Sequence, residues 1–350
     1  MAKEGTRHLV SNIGGVLAKE EVLNSTDAYE KYHSFHGGDE DARKMNYTDM
    51  VNKYYDLANS FYEYGWGQSY HFANRWRGES LRESIKRHEH FLALHLQLKP
   101  GMKVLDVGCG IAGPAREIAL FSGASVTGLN NNDTQIARAK VLTKQAGLEH
   151  LLDYVKADFM KMPIADNAYD AVYTIEASCH APDPVACYTE IKRVLKPGQL
   201  FAGYEWCLTD AYNPENKDHK RIKEEIELGN GLPDIRSTRQ VLDALKAAGF
   251  EILMEEDLAK DSQVPWYQPL DPNHFSMSSF KLTSVGRFFT HNVVRALEFM
   301  KIAPEGSTRV SAFLEQGLFG LVDGGRAEVF TPMYYFLVRK PLEDSLASVE

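Results

Sequence analysis

The sequence predicts an α/β fold with a parallel, Rossmann-like sheet, on two observations. Val104 to Val107 is an apolar run broken by Asp106, followed by Gly108-Cys109-Gly110-Ile111-Ala112-Gly113 and then Pro114; this reads as a buried strand, a tight glycine turn and a helix start. Around it, strand-like segments alternate with helical ones. That pattern places helices on both faces of a parallel sheet and any ligand at the carboxyl ends of the strands.

In chain order, residues 1–79 are polar with aromatic patches, and His33, His36 and Gly37-Gly38 mark an irregular region before the aromatic run Tyr54 to Trp66. From Glu79, Leu81, Ile85, His88, Leu92 and Leu96 recur at helical spacing up to Lys99-Pro100-Gly101, an amphipathic lead-in helix. Strands follow near 103–107, 125–129, 153–157, 170–175 and 200–204, with helices near 114–121, 133–145 and 184–195. A helix over 237–248 ends at Gly249, and a strand over 250–254 succeeds it. In the mixed segment 260–325, Phe289, Val293, Ala296, Leu297 and Met300 form an apolar helical stripe, which is read as core. The run 329–338, before Arg339-Lys340-Pro341, is read as a strand returning to the sheet edge. The linear division is a cap over 1–79, a core over 80–259 and a carboxyl-terminal region over 260–350.

With 350 residues, 44% of them hydrophobic, the chain can bury a sizeable core. A net charge of -9 without a Lys/Arg block argues against a nucleic-acid partner. Cys109, Cys179, Cys187 and Cys207 lack C-x-x-C spacing and read as reduced thiols. Residues 1–20 carry scattered charges without the apolar run of a secretory signal, and no stretch is long and apolar enough to span a bilayer. Any membrane contact is therefore expected to be peripheral.

Gly108, Gly110 and Gly113 also satisfy the dinucleotide G-x-G-x-x-G pattern, so the glycines do not name the cofactor. Asp106 does: a carboxylate at the strand end repels a pyrophosphate but suits the ammonium and sulfonium of S-adenosylmethionine. Asn130 and Asn131, with Gln135 beyond them, follow the second strand, where an acid more commonly holds the ribose; an amide can bond a hydroxyl without charge. Asp158 can accept from an adenine amino group while Phe159 packs on its face. Glu176 ends the fourth strand. The bland alternatives are a helix N-cap at Asp158 and a surface acid at Glu176.

Tyr62-Glu63-Tyr64-Gly65-Trp66-Gly67, the glycine segment, Leu129 to Asn132, Ile175 to Pro182, Tyr204-Glu205-Trp206 and Phe330 to Met333 together resemble the sterol 24-C-methyltransferases, over about residues 54–341. The pattern is most similar to the plant and algal type that acts on cycloartenol. The resemblance implies a seven-stranded class I methyltransferase core with an amino-terminal cap and a carboxyl-terminal sterol-pocket region. It implies S-adenosylmethionine as methyl donor, no metal, a Δ24 sterol as substrate and a place in sterol biosynthesis. It further implies peripheral contact with the cytosolic face of the endoplasmic reticulum or with lipid droplets, and it allows a homo-oligomer. The stripe 289–300 joins substrate insolubility as a second ground for membrane contact.

In the family's reaction the side-chain alkene attacks the methyl group, a cation forms at carbon 25, hydride moves from carbon 24, and a proton leaves to give a 24-methylene sterol. Aromatic faces and carboxylates suit such a cation. Glu63 with Tyr62, Tyr64 and Trp66 forms one candidate group, and Glu205 with Tyr204 and Trp206 the other. His71 and His90 are the candidate final bases, since imidazole titrates near neutrality. His88 lies on the apolar stripe of its helix and reads as a satisfied core histidine, and His88-Glu89-His90 lacks the H-E-x-x-H spacing of a metal site.

Three alternatives stand beside this reading. An NAD-dependent oxidoreductase would put its acid at the second strand end and none at Asp106. A sterol carrier would lack the cofactor set. A tocopherol or phospholipid-base methyltransferase would share the core.

Overall fold

The computed structural model describes residues 17, 19–33, 38–260, 262–274 and 283–342; His36 and Gly37 of the expected irregular region lie outside them. The helices and strands run α1 (Lys19–Tyr32), α2 (Glu40–Met45), α3 (Tyr47–Trp66), α4 (Leu81–His95), β1 (Lys103–Val107), α5 (Gly113–Ser122), β2 (Ser125–Asn130), α6 (Asp133–Ala146), β3 (Leu152–Lys156) and β4 (Tyr169–Ile175). They continue as α7 (Pro184–Val194), β5 (Leu195–Leu208), α8 (Lys217–Asn230), α9 (Thr238–Ala247), β6 (Glu251–Asp257), α10 (Ser284–Phe299), α11 (Ser307–Arg326) and β7 (Phe330–Arg339). The chain forms two compact units, each discontinuous in sequence: a sheet unit (68–213, 234–266, 324–350) and a helical unit (1–67, 214–233, 267–323).

The sheet unit holds seven strands in the order β3-β2-β1-β4-β5-β7-β6. β1 to β5 pair in parallel, and β7 runs antiparallel to both its neighbours. The expectation that the last strand forms the sheet edge is corrected: β7 lies between β5 and β6. Its burial explains this, since every residue but the last is buried, as a strand flanked on both sides requires. β6, with alternating exposure, takes the edge. Strand order reverses beside β1, so the carboxyl ends of β1 and β4 flank the switch point where such sheets bind ligands. The four cysteines are free and buried.

The helical unit packs α1, α3 and α11 around Tyr29, Met50, Tyr54, Leu57 and Phe313. α3 is legible afterwards in Met50, Tyr54, Leu57 and Phe61, one face at helical spacing that the aromatic run obscured. Glu227 of α8 and Arg43 of α2 form a buried ion pair at 3.1 Å, and Lys223 also reaches Glu227. The stripe on α10, expected in the core, is instead exposed: Phe289 at 58%, Val293 and Met300 at 55%. No helix among the described residues is long and apolar enough to cross a membrane.

Candidate active site

The glycine turn is built as its sequence requires. Gly108 takes φ +83°, donates its N–H to Leu129 O, and leaves no room for a Cβ, which would collide with Ala177. β1 and β4 loops thus close on one another at the switch point. Gly110 has positive φ and open space where a Cβ would stand, a surface on which a flat ligand can lie. Ala112, at φ +59°, is the left-handed N-cap of α5, a strained position for a residue with a Cβ.

Asp106 is buried and forms no ion pair with Lys or Arg among the described residues; burial pushes its carboxyl up to about 7. Glu176, directly beyond β4, is also strained at φ +53° and buried. Its two oxygens accept from Phe72 N–H and Trp206 Nε1–H, each at 2.7 Å, and burial again pushes the carboxyl up to about 7. The surface-acid alternative for Glu176 is therefore excluded. Two desolvated acids without a Lys or Arg partner, the nearby His71 being matched by Glu89, stand beside an open glycine turn and make a receptor for a small cation.

Around Glu176 stand aromatic rings from four distant segments. Phe72 lies 6.0 Å from Trp206 and 4.9 Å from Trp266, and Phe330 lies 5.4 Å from Trp206 and 6.0 Å from Trp266. Phe72 and Trp266 were not singled out in the sequence, because only tertiary structure joins them.

Glu89, also not singled out, organises the next layer. It is buried on α4 and accepts from Ser69 Oγ at 2.8 Å and His71 Nε2 at 3.1 Å. His71 Nδ1 lies 2.6 Å from Phe72 O. A carbonyl only accepts, so Nδ1 carries hydrogen; facing a carboxylate, Nε2 does too. Burial alone would lower the His71 pKa, but the Glu89 hydrogen bond and charge outweigh it and raise the pKa. His71 thus has no free lone pair. The segment 68–72 is further held by Arg116, whose Nη2 donates to Gln68 Oε1 at 2.9 Å, and by Gly113, where any Cβ would strike Gln68 O.

His88 is buried and neutral, burial holding its pKa well below the usual value. It stacks on Tyr204 at 3.6 Å, yet neither ring nitrogen has a partner among the described residues; it is a core histidine, but not a satisfied one. His90 does not join the Asp106 group. It bonds Glu117 Oε1 at 2.8 Å and stacks on Phe121 at the seam of α4 and α5.

Tyr204, Glu205 and Trp206 do not form a single cluster, because successive strand residues point to opposite faces. Tyr204 donates to His88 O at 2.9 Å and Trp206 bonds Glu176. Glu205 instead accepts from Ser178 Oγ and, at 2.9 Å, from Trp206 N–H; it is buried, which raises its pKa. In the helical unit, Tyr62 bonds Tyr54 at 2.7 Å and Asn230 at 3.1 Å. Glu63 and Trp66 share a face of α3 at i, i+3, and Tyr64 is 52% exposed.

At the end of β2, Asn130 Nδ2 donates to Gln135 Oε1 at 2.8 Å, while Asn132 caps α6; Asn131 is half-buried between them. Asp158 accepts from Met160 N–H at 2.8 Å and so caps a turn, and Phe159 is half-buried against the sheet core. No group of three or more His, Cys, Asp or Glu among the described residues could hold a metal ion.

A seven-stranded sheet with a glycine turn and an acid at its switch point defines an S-adenosylmethionine-dependent methyltransferase of class I. The methyltransferase-domain family matches residues 105–203, and the sterol methyltransferase C-terminal family matches residues 277–342. The chain is 68% identical to cycloartenol-C-24-methyltransferase 1 of Oryza sativa subsp. japonica over 98% of its length and 100% of the relative. It is 67% identical to cycloartenol-C-24-methyltransferase of Arabidopsis thaliana over 95% of its length and 99% of the relative. It is 49% identical to a sterol 24-C-methyltransferase of Saccharomyces cerevisiae over 86% of its length and 81% of the relative. Among solved structures, the cyclopropane synthase MmaA2 from Mycobacterium tuberculosis has the same fold, with a TM-score of 0.68 at 17% identity over 84% of this chain and 98% of that one. The chain belongs to the sterol 24-C-methyltransferase family.

Proposed function

We propose that the enzyme methylates carbon 24 of a Δ24 sterol of the cycloartenol kind, yielding a 24-methylene sterol in sterol biosynthesis. The observation that carries this reading is the pair of buried carboxyls Asp106 and Glu176, which have no Lys or Arg partner among the described residues, with aromatic rings packed around the second. S-adenosylmethionine, when bound, supplies an electrophilic methyl group. Asp106 holds its cationic portion, and Gly108 and Gly110 let it lie against the backbone. Asn130, Asn131 and Gln135 bond the ribose, and Asp158 and Phe159 bind the adenine.

The sterol side must exclude water, hold the alkene in line and stabilise a transient cation at carbon 25. We assign that stabilisation to Glu63, Tyr64, Trp66 and Glu205, acting through ring faces, the half-buried Glu63 and the buried Glu205. Hydride moves from carbon 24 to the cationic carbon 25, leaving the charge beside the new methyl group, which then gives a proton to a carboxylate on the sterol side, a role we assign to the buried Glu205. His71, shared with Glu89, keeps positive charge beside Asp106 and Glu176 and positions the segment that carries Phe72. The reading gives residues 80–259 to the donor and residues 1–79 and 260–350 to the sterol. The enzyme works as a peripheral protein at the cytosolic face of the endoplasmic reticulum or on lipid droplets.

Incubation with labelled S-adenosylmethionine and a panel of sterols in detergent tests this. The expected product is a 24-methylene sterol, with cycloartenol preferred. Label passing only to a tocopherol or a phospholipid base would overturn the assignment.

A further inference from the structure

α10 is amphipathic in the reverse sense. Val285, Phe288, Phe289, Val293, Phe299 and Met300 are between 45% and 89% exposed. At about 100° per residue these side chains fall within a sector of about 140°. Arg287 and Glu298 face inward instead. Arg287 is buried, donates to Leu270 O at 2.7 Å and lies over the Phe319 ring at 5.4 Å. Glu298 accepts from Gly306 N–H at 2.9 Å and Thr308 N–H at 2.7 Å, which caps the start of α11. The helix is therefore pinned from its underside, and its apolar face is held outward. Asn292, the one amide in that sector, satisfies a donor internally on Phe288 O at 2.8 Å.

The exposed charges around this face are mainly basic. Glu298, turned inward, is the only acid of the helix, while Arg295 is exposed at its rim; past the helix end Lys301 is exposed, and the exposed Glu305 follows in the turn to α11. The basic excess runs against the chain's net charge of -9. A second copy is a poor occupant. A helix of 16 residues is about 24 Å long, and two such faces about 10 Å wide bury about 500 Å², well short of the about 1,200 Å² of a stable interface.

We propose that this face docks on an anionic phospholipid bilayer, with α10 lying in the plane of the interface and its aromatic side chains among the acyl chains. The proposal rests on the sterol reading in one respect: a sterol substrate is drawn from lipid.

Flotation of the full chain with vesicles tests it. Wild type should rise with phosphatidylcholine–phosphatidylserine vesicles and less with phosphatidylcholine alone. Phe288→Ser/Phe289→Ser/Phe299→Ser should lower partition at least about tenfold, and Arg295→Glu/Lys301→Glu should abolish the preference for phosphatidylserine. Melting temperature should stay at wild-type level in both variants. Failure of wild type to methylate any sterol in detergent would count against the sterol reading and leave the flotation result standing on its own. The docking surface is overturned if wild type stays unbound, or if the triple Ser variant floats as well as wild type. It is equally overturned if sedimentation shows a wild-type dimer that the triple Ser variant loses, since the face would then belong to a second copy.

Discussion

Glu227 in the helical unit and Asp106 in the sheet unit are equally hidden from water, at 1% and 3% exposure, but their electrostatic company differs. Glu227 lies against Arg43 and Lys223, so its charge is matched inside the fold. Asp106 has no Lys or Arg partner, the nearby His71 is matched by Glu89, and burial pushes the Asp106 carboxyl up to about 7. Glu176 repeats the pattern with neutral donors only. A buried acid with a built-in cation is a structural element; a buried acid without one is costly to keep and becomes favourable only when a cation arrives from outside. The cost is concentrated at the switch point of the sheet.

Neutralising one acid in each unit should have opposite effects. Glu227→Gln strands Arg43 and should cost about 3–5 kcal/mol of stability, read by denaturant unfolding, with donor affinity of the folded protein unchanged. Asp106→Asn should do the reverse. Donor affinity, measured by titration calorimetry, should fall about 100-fold. The melting temperature of the ligand-free protein should rise at pH 8, because the folded pKa lies above the ordinary 3.8. The folded state then binds more protons than the unfolded, and stability is lost as pH rises toward and through 7. Loss of stability without loss of affinity in Asp106→Asn would reverse the assignment of the two acids.

Glu205→Gln keeps shape and removes charge. Single-turnover methylation should slow about 10–100-fold with little change in sterol affinity. A higher KM alone would make Glu205 a binding residue.

A smaller effect distinguishes the local aromatic group of α3 from a mere pocket wall. A sterol analogue with a protonated nitrogen at carbon 25 should bind more tightly than the neutral alkene. Glu63→Gln or Trp66→Leu should weaken it about tenfold more than a neutral sterol of equal length. Equal weakening of both ligands would remove these residues from cation stabilisation.

Local patterns carried the fold well. β1, the glycine turn, α5 and the strand–helix alternation depend on neighbouring residues, and Asp106 was legible because it interrupts an apolar strand immediately before glycines. What the sequence did not disclose is nonlocal. Glu89, Phe72 and Trp266 acquire meaning only when segments from 68 to 330 meet around Glu176, and Arg116 only when it reaches Gln68. Periodicity identified the apolar face of α10 but not its direction, because a 3.6-residue period is the same whether the face turns to core or solvent. The same limit misplaced β7: an apolar strand pattern does not say which two strands will flank it. Alternation along β5, which runs on to Leu208, separates Tyr204 and Trp206 from Glu205.

The most direct test is to count protons as the donor binds. Calorimetric titration of S-adenosylmethionine at pH 6.5, in buffers of different ionisation enthalpy, reads the number released. With Asp106 and Glu176 both near 7 in the free protein, donor binding should release about one proton or more at that pH, fewer as the pH rises, and a smaller number from Glu176→Gln. Tight binding to the wild-type protein with no proton released at pH 6.5 would contradict it.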